Sequence, residues 1–245
     1  MEKTCVVIPC YNEGERLPVE NFYNFLQNRP CTIYFVNDGS TDNTIEVLKK
    51  LKIDFNNSVH IIDLPLNVGK AEAVRQGFLM AFQENRFDHI GYLDADLATP
   101  LEEIEYMLSH FNGKVNIVLG SRVLRLGAVI QRSSVRHYLG RIFATIASNV
   151  LDMKVYDSQC GAKLFENNMA KVLFKEPFLS KWLFDLELLY RLKLNNPEQF
   201  FNNTLEVPLR HWEEKGNSKI KFTDFITAPF ELLKIKRKNL PHLIS

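Results

Sequence analysis

Short apolar runs alternate with segments of helical periodicity along the first half of the chain. The runs are rich in β-branched and aromatic residues, as strands buried on both faces are. They are Cys5–Ile8, Thr32–Val36, Val59–Ile62, Ile90–Leu93 and Val115–Leu119. The segments between them predict four helices. The first lies near 16–28, the second ends at 52, the third begins at 70 and the fourth spans 101–111. Alternation of strand and helix predicts an α/β fold with a mostly parallel sheet and an active site along one edge.

The fourth apolar run leads directly into two carboxylates, Asp94 and Asp96. Side chains one residue apart on extended backbone point to opposite faces, so a turn beginning at Asp96 is needed before both reach one ion. Pro100 provides such a break. Hard oxygen ligands suit Mg²⁺ or Mn²⁺ holding a diphosphate. An Asx-type turn followed by a helix cap at Thr99 explains the same residues equally well.

Composition narrows the class of protein. A chain of 245 residues with 46% hydrophobic and 24% charged residues is an ordinary globular protein of one or two domains. The net charge of +1 argues against nucleic-acid binding. The four cysteines lack metal-ligand spacing and indicate reduced thiols in a cytoplasmic chain. There is neither a leader-like start nor an apolar run of about 18 residues, so we expect no secretion and no membrane span.

The second half of the chain predicts an amphipathic helix with a basic start over 133–153, preceded by Arg132 and containing Arg136 and Arg141. The segment 157–165 predicts a loop entering a short strand. A helix near 182–195, a strand near 204–209 and a basic helix near 222–236 complete the chain. We find no internal repeat and no low-complexity linker.

Several short segments occur in the order and at the spacing found in one known family. They are Val7–Glu13 (VIPCYNE), Val36–Asp42 (VNDGSTD), Asn67–Lys70 (NVGK), Asp94–Asp96 (DAD), Gly120–Arg122 (GSR), Gln131–Ser133 (QRS), Asp157–Phe165 (DSQCGAKLF) and Trp182–Glu187 (WLFDLE). The sequence therefore resembles the inverting family-two glycosyltransferases, and among these the polyprenyl-phosphate sugar synthases of the dolichyl-phosphate glucosyltransferase type. The resemblance implies a GT-A fold in a single domain over 1–245, with a nucleotide-sugar-binding half (1–122) and an acceptor-side half (123–245).

The resemblance also implies residues that bind the nucleotide. Asp38 would hydrogen-bond the uridine, and the backbone around Pro9, Tyr11 and Glu13 would form a wall against base and ribose. Lys70, at a predicted helix N-terminus, would attract an anion. Taken without the resemblance, Asp38 is equally well a turn residue and Lys70 a solvated surface lysine.

The resemblance assigns the acidic turn to the diphosphate. Asp94 and Ala95 would lie against the nucleotide, and Asp96 would be the more direct metal ligand and a catalytic residue. Ala98 stands where some mannose synthases have a third side-chain ligand, so water or the diphosphate would complete the shell of Mg²⁺ or Mn²⁺.

Four arginines are candidates for the acceptor phosphate, because guanidinium binds phosphate bidentately. They are Arg122, Arg132, Arg136 and Arg141. A solvated basic face on a packed helix is the alternative. Arg122 and Asp157 are also catalytic candidates, with Asp157 orienting the acceptor. Trp182, Asp185 and Glu187 match a segment near the donor sugar, although helix packing explains them equally well.

We therefore expect transfer of a hexose, with glucose favoured, from a UDP-sugar to a polyprenyl phosphate with inversion. A GDP-mannose-dependent synthase and a soluble transferase acting on a polysaccharide or protein remain alternatives. A nucleotidyltransferase would need a cationic loop after the first strand, and 10–14 contains no lysine or arginine. A lipid acceptor implies contact with the membrane surface, through 132–150 and 222–238, or through a small membrane-protein partner.

Overall fold

The computed structural model describes residues 3–131, 134–216 and 222–239. In these ranges the strands are β1 (Thr4–Cys10), β2 (Thr32–Asp38), β3 (Val59–Leu64), β4 (His89–Leu93), β5 (Ile117–Ser121), β6 (Val129–Gln131), β7 (Ala162–Glu166), β8 (Thr204–Pro208) and β9 (His211–Glu213). The helices are α1 (Val19–Asn28), α2 (Thr44–Asp54), α3 (Lys70–Gln83), α4 (Glu103–Leu108), α5 (Ser134–Leu151), α6 (Asn167–Leu173), α7 (Phe184–Asn195), α8 (Pro197–Asn203) and α9 (Phe222–Asn239).

A seven-stranded sheet with the order β3-β2-β1-β4-β7-β5-β8 forms the centre of the molecule. All neighbouring pairs are parallel except the two made by β7, which is antiparallel to β4 and β5. The mostly parallel α/β architecture expected from the sequence is confirmed. Strands β2 and β3 lie on one side of β1, and β4 and all later strands of this sheet lie on the other side. The strand order therefore changes direction between β1 and β4, and open α/β sheets bind ligands at such a switch point.

Two layers of helices cover the two faces of this sheet. Alternate residues of β1 point to opposite faces, with Cys5 and Val7 in one core and Val6 and Ile8 in the other. Helices α3, α5, α6, α7 and α9 pack on the first face, and α1, α2 and α4 pack on the second. In the described ranges, no helix has the length and apolarity needed to cross a bilayer.

Some boundaries differ from the sequence prediction. Strand β1 continues through Pro9 instead of ending at Ile8, because β4 pairs only as far as Val7 and a strand with one unpaired side accepts proline. Helix α1 begins at Val19 rather than at Arg16, since Pro18 disfavours helical backbone at the residue before it. The ribbon of β6 and β9 and the short helices α6 and α8 were not predicted, because three to seven residues show too little periodicity.

Candidate active site

The loops that follow β1 and β2 are joined by hydrogen bonds at the carboxyl edge of the sheet. Asn12, in a left-handed conformation at φ 50°, donates its N–H to Ser40 Oγ at 3.0 Å. Its side-chain oxygen accepts the N–H of Thr41 at 2.8 Å. The N–H of Glu13 is donated to Thr44 Oγ1 at 2.9 Å, and that of Gly14 to Asp42 Oδ2 at 3.0 Å. The loop that carries Tyr11 and Glu13 is thus held rigidly beside β2.

Asp38 ends β2 and lies almost fully buried, at 3% exposure. Its Oδ1 accepts the N–H of Val68 at 2.7 Å and its Oδ2 accepts that of Gly69 at 3.0 Å. These bonds fix the segment that leads into α3, where Lys70 is the first residue. Asp38 therefore shapes the start of α3, and its predicted contact with uridine stays a prediction.

The acidic turn after β4 has the bend that the sequence required. Leu97 adopts φ 49°, and its N–H is donated to the carbonyl oxygen of Asp94 at 3.1 Å. Asp96 Oδ1 accepts the N–H of Ala98 at 3.0 Å, which is an Asx turn. Asp94 and Asp96 are both partly exposed, and Ala95 between them is buried. The predicted Asx turn is therefore present, but the predicted helix cap at Thr99 is wrong, because α4 begins at Glu103 with Glu102 as its N-cap residue. The metal site at Asp94 and Asp96 stays a prediction.

Lys70 reaches across from α3 and pairs with Asp94, with 2.5 Å between Nζ and Oδ1. Partial burial works to lower the pKa of Lys70, but the carboxylates of Asp94 and Asp185 outweigh it and the pKa is raised. The lysine therefore stays cationic at the mouth of the site. A cation at a helix N-terminus favours a bound anion.

The donor set of the acidic turn fits a divalent cation. Burial raises the pKa of Asp96, and the negative charges of Asp94 and Glu13 raise it further. Such crowding of negative charge is relieved by a bound cation. No group of three or more His, Cys, Asp or Glu side chains with metal-binding geometry occurs in the described part of the chain. A metal ion here would therefore be held by Asp94 and Asp96 together with non-protein oxygens, as Mg²⁺ commonly is.

On the acceptor side, Arg122 and Asp157 form a bidentate ion pair. Arg122 Nε donates to Asp157 Oδ2 and Nη2 donates to Oδ1, each at 2.7 Å. The backbone N–H of Arg122 adds a third bond to Oδ2 at 3.0 Å. Burial works to lower the pKa of Arg122, but Asp157 outweighs it, so the pKa is raised and the guanidinium is permanently charged. The ion pair joins the end of β5 to the loop before β7.

A pocket of about 400 Å³, part of it open to solvent, lies beside this ion pair. Arg122 and Asp157 line it together with Arg141 of α5 and Tyr156. The guanidinium of Arg141 lies 3.7 Å from the ring centre of Tyr156 and donates to its carbonyl oxygen at 2.6 Å. The structure therefore brings together three of the predicted acceptor-side residues. Ser158 and Gln159 of the same pocket belong to the family-matching segment 157–165 but were given no role, and Tyr156 was not singled out, because none of the three belongs to a charge pattern.

The remaining candidates on the acceptor side have different outcomes. Arg132 lies outside the described residues, and the side chain of Arg136 is likewise not described, so their roles stay predictions. Glu187 is fully buried and accepts the N–H groups of Leu179 and Ser180 at 2.8 and 3.1 Å, as the packed-helix reading expects. Trp182 packs its ring 5.6 Å from that of Phe143.

Asp185 is buried and forms an ion pair with Lys163, a residue to which the sequence gave no role. Tyr92 donates its hydroxyl to the same carboxylate oxygen. A lysine between apolar residues of a strand is normally predicted to face solvent. The sequence therefore gives no indication that the Lys163 side chain is fully buried.

Comparisons with known proteins show the family of this chain. The family model described as glycosyl transferase family 2 matches residues 5–174. Dolichyl-phosphate beta-glucosyltransferase of Trichomonas vaginalis is 32% identical over 248 residues, which covers 95% of this chain and 70% of the relative. The human dolichyl-phosphate beta-glucosyltransferase is 31% identical over 253 residues, with 96% and 75% covered.

Solved structures show the same fold. Glucosyl-3-phosphoglycerate synthase from Mycobacterium tuberculosis in complex with UDP superposes with a TM-score of 0.66 at 15% identity, covering 97% of this chain and 79% of that chain. The same enzyme in complex with Mn²⁺ and UDP-glucose gives a TM-score of 0.67 at 14% identity, with 97% and 78% covered. The fold is therefore GT-A. With the family model matching more than half of its length, the chain belongs to glycosyltransferase family 2 and is a nucleotide-sugar-dependent glycosyltransferase.

Proposed function

We propose that this glycosyltransferase moves glucose from UDP-glucose to a polyprenyl phosphate of the dolichyl or undecaprenyl type, with inversion at the anomeric carbon. Relatives named dolichyl-phosphate beta-glucosyltransferase cover nearly the whole chain, which supports the sugar and the acceptor. Solved GT-A structures in complex with UDP and UDP-glucose support the donor. The observation that carries the acceptor half is the pocket that Arg122 and Arg141 share.

At the donor end, Asp94 and Asp96 would hold Mg²⁺ or Mn²⁺. When bound, such an ion neutralises the charge that grows on the leaving diphosphate. Lys70 supplies a second positive charge at the same place, since its raised pKa keeps it protonated. Pro9 near the end of β1, the loop that carries Tyr11 and Glu13, and Asp38 at the end of β2 would form the wall against the base and ribose.

At the acceptor end, the nucleophile is an oxygen of a phosphate monoester. Such a phosphate is already ionised near neutral pH, so it needs orientation more than a strong base. Arg141 lines the pocket with its guanidinium stacked on Tyr156, and Arg122 is held in place by Asp157. In this arrangement Asp157 acts by positioning Arg122, because both of its oxygens already accept bonds from that guanidinium.

The acceptor pocket adjoins a surface that suits a membrane. Gly140, Arg141 and Ala144 of α5 line the pocket, and another face of α5 exposes Tyr138, Ile142 and Ile146. Helix α9 packs against α5 and exposes Phe230 and Leu233. We call these five exposed side chains the α5–α9 surface. The last turns of α9 add four exposed cations, Lys234, Lys236, Arg237 and Lys238, which we call the basic end of α9. An apolar surface beside clustered cations fits an anionic lipid interface.

A partition assay tests the proposed reaction. The protein is incubated with UDP-[¹⁴C]glucose, Mn²⁺ and dolichyl or undecaprenyl phosphate, and label is expected to move into the organic phase. The anomeric configuration of the product, read by NMR, should be β. Parallel reactions with GDP-[¹⁴C]mannose separate a glucosyl from a mannosyl donor.

Two outcomes contradict the proposal. Transfer only from GDP-mannose would make the protein a mannose synthase. Label that reaches only a water-soluble saccharide, a protein or 3-phosphoglycerate would exclude the lipid acceptor. The last of these acceptors is a useful comparison because it also presents a phosphate group.

A further inference from the structure

A buried charge cluster lies beneath the acidic turn, and its lysine has no part in the proposed transfer. Lys163 of β7 has no exposed surface, and Asp185 of α7 is 4% exposed. Lys163 Nζ contacts Asp185 Oδ1, and Tyr92 of β4 donates its hydroxyl to that same oxygen. Lys163 stands directly opposite Tyr92 in the antiparallel pairing of β4 and β7. A buried ion pair is costly to desolvate, so its presence here calls for a reason other than stability.

The lysine makes a further bond that leads to the active site. Its Nζ donates to the carbonyl oxygen of Cys160 at 2.7 Å. Cys160 belongs to the loop 157–161, which precedes β7, and its N–H is donated to the carbonyl oxygen of Asp157 at 3.2 Å. The buried ammonium therefore holds this loop at Cys160, next to its last residue. An ammonium provides several donors, so it can satisfy the Asp185 carboxylate and a backbone carbonyl together.

The two ends of this loop lie at the two ends of the site. At one end, the Asp157 carboxylate holds the guanidinium of Arg122. At the other, Gly161 packs against the carboxylate of Asp94, so closely that an added Cβ would lie 2.0 Å from Asp94 Oδ2. A shift of the loop would therefore move the support of Asp94 and the partner of Arg122 at the same time.

We propose that Lys163 is a positioning residue that, through the carbonyl of Cys160, sets the loop 157–161 and thereby the relative placement of the acidic turn and the acceptor pocket. Asp185 and Tyr92 keep the ammonium in place. The inference rests on the proposed function only where it names the acidic turn as the donor end of the site and the pocket as the acceptor end. Removal of an outer partner that orients a binding group commonly costs about 10- to 100-fold in affinity or activity.

The test compares Lys163→Met with Arg191→Met. Arg191 pairs with Glu187, which is also fully buried, so both variants leave a buried carboxylate without its cation. Only Lys163→Met removes the bond to the loop. We expect faster hydrogen–deuterium exchange of the Asp157 and Cys160 amides in Lys163→Met, and about 10- to 100-fold slower glucosyl transfer. Arg191→Met should show neither change, although its melting temperature also falls.

A triple variant covers the case in which Lys163→Met fails to fold. Lys163→Met, Asp185→Val and Tyr92→Phe together replace the whole cluster by apolar groups, an exchange that is often neutral for stability. It should fold, and still show the faster loop exchange and the slower transfer. The inference is overturned if the triple variant keeps wild-type loop exchange and rate, or if Arg191→Met loses as much. If the wild type transfers no glucose at all, the proposed function is wrong. The role of Lys163 is then tested only by hydrogen–deuterium exchange of the loop 157–161.

Discussion

At the scale of single residues, the acidic turn depends on one unusual backbone conformation. Leu97 adopts φ 49°, a region that costs a branched residue about 1 kcal/mol or more. The strain is compensated by the bonds from Leu97 N–H to Asp94 and from Ala98 N–H to Asp96. Together they turn the chain between two carboxylates that extended backbone would point apart.

Asp96→Asn tests the acidic turn without altering its shape, because the amide oxygen can still accept the N–H of Ala98. We expect loss of Mn²⁺-dependent UDP binding by calorimetry and a drop in transfer of at least about 100-fold, since charge stabilisation of the leaving group is lost. Asp88→Asn, just before the other end of β4, is the matched control and should change neither quantity. Unchanged UDP and metal affinity in Asp96→Asn would exclude Asp96 as a ligand.

How far the sequence predicts this site differs from residue to residue. Asp94 and Asp96 were predictable because a buried apolar run sets them at a strand end. The pairing of Asp38 with the N–H groups of Val68 and Gly69 was not, since it joins positions about 30 apart in the chain. Lys163 and Asp185 were missed as a pair for the same reason, being 22 residues apart and on different elements.

At the scale of elements, β5 and the loop before β7 meet through the ion pair of Arg122 and Asp157. Asp157→Asn keeps the shape but removes the charge, and the loss of a buried partner costs about 3 kcal/mol or more. We expect a lower melting temperature and a raised KM for the acceptor phosphate, with the KM for the donor nearly unchanged. Steady-state kinetics with each substrate varied in turn measures this.

The control for that variant is Asp152→Asn, which breaks an ion pair with Lys193 at the surface. Exposed ion pairs contribute little to stability, so stability and kinetics should stay close to those of the wild type. An acceptor KM that is unchanged in folded Asp157→Asn would show that Arg122 needs no partner to bind its ligand.

The sequence predicted the type of most elements but not their pairing. Helix α5 was expected over 133–153 and spans Ser134–Leu151. The insertion of antiparallel β7 between β4 and β5 could not be read from local periodicity, because strand order depends on contacts distant in sequence. That insertion brings the loop 157–161 between the acidic turn and the acceptor pocket.

At the scale of the whole molecule, the buried thiols make the protein less stable as the pH becomes alkaline. All four cysteines are buried thiols that form no disulfide in the described part of the chain. Burial raises the pKa of Cys31 and of Cys160 from 9.0 to about 12. Above pH 9 the unfolded chain loses these protons while the folded protein keeps them, so the free energy of unfolding falls as pH rises towards 12.

Denaturant unfolding measured between pH 8 and pH 11 checks this. Each buried thiol should contribute a slope of about 1.4 kcal/mol per pH unit above pH 9. Cys31→Ser, which has no thiol to ionise, should show a shallower fall than the wild type, while tyrosines such as Tyr34, whose pKa is also raised by burial, leave a residual slope. Identical slopes in the two proteins would mean that Cys31 is not protected from ionisation.

The last prediction concerns how the protein reaches a lipid acceptor. The α5–α9 surface and the basic end of α9 lie on one pair of packed helices, and α5 also lines the acceptor pocket. Near an anionic leaflet each Lys or Arg contributes about 1 kcal/mol, so binding should be reversible and sensitive to salt. In flotation assays we expect association with anionic vesicles at low salt, and little with neutral vesicles.

Lys234→Gln combined with Lys238→Gln removes two of these cations and should weaken binding to anionic vesicles by about 2 kcal/mol, or roughly 30-fold. Lys49→Gln combined with Lys50→Gln makes the same change of charge on exposed positions of α2, which packs on the opposite face of the sheet, and should have little effect. Equal weakening by both pairs would indicate attraction through net charge alone. If the wild type binds no vesicles even at low salt, the electrostatic route is excluded, and a membrane-spanning partner or a water-soluble acceptor becomes the better account.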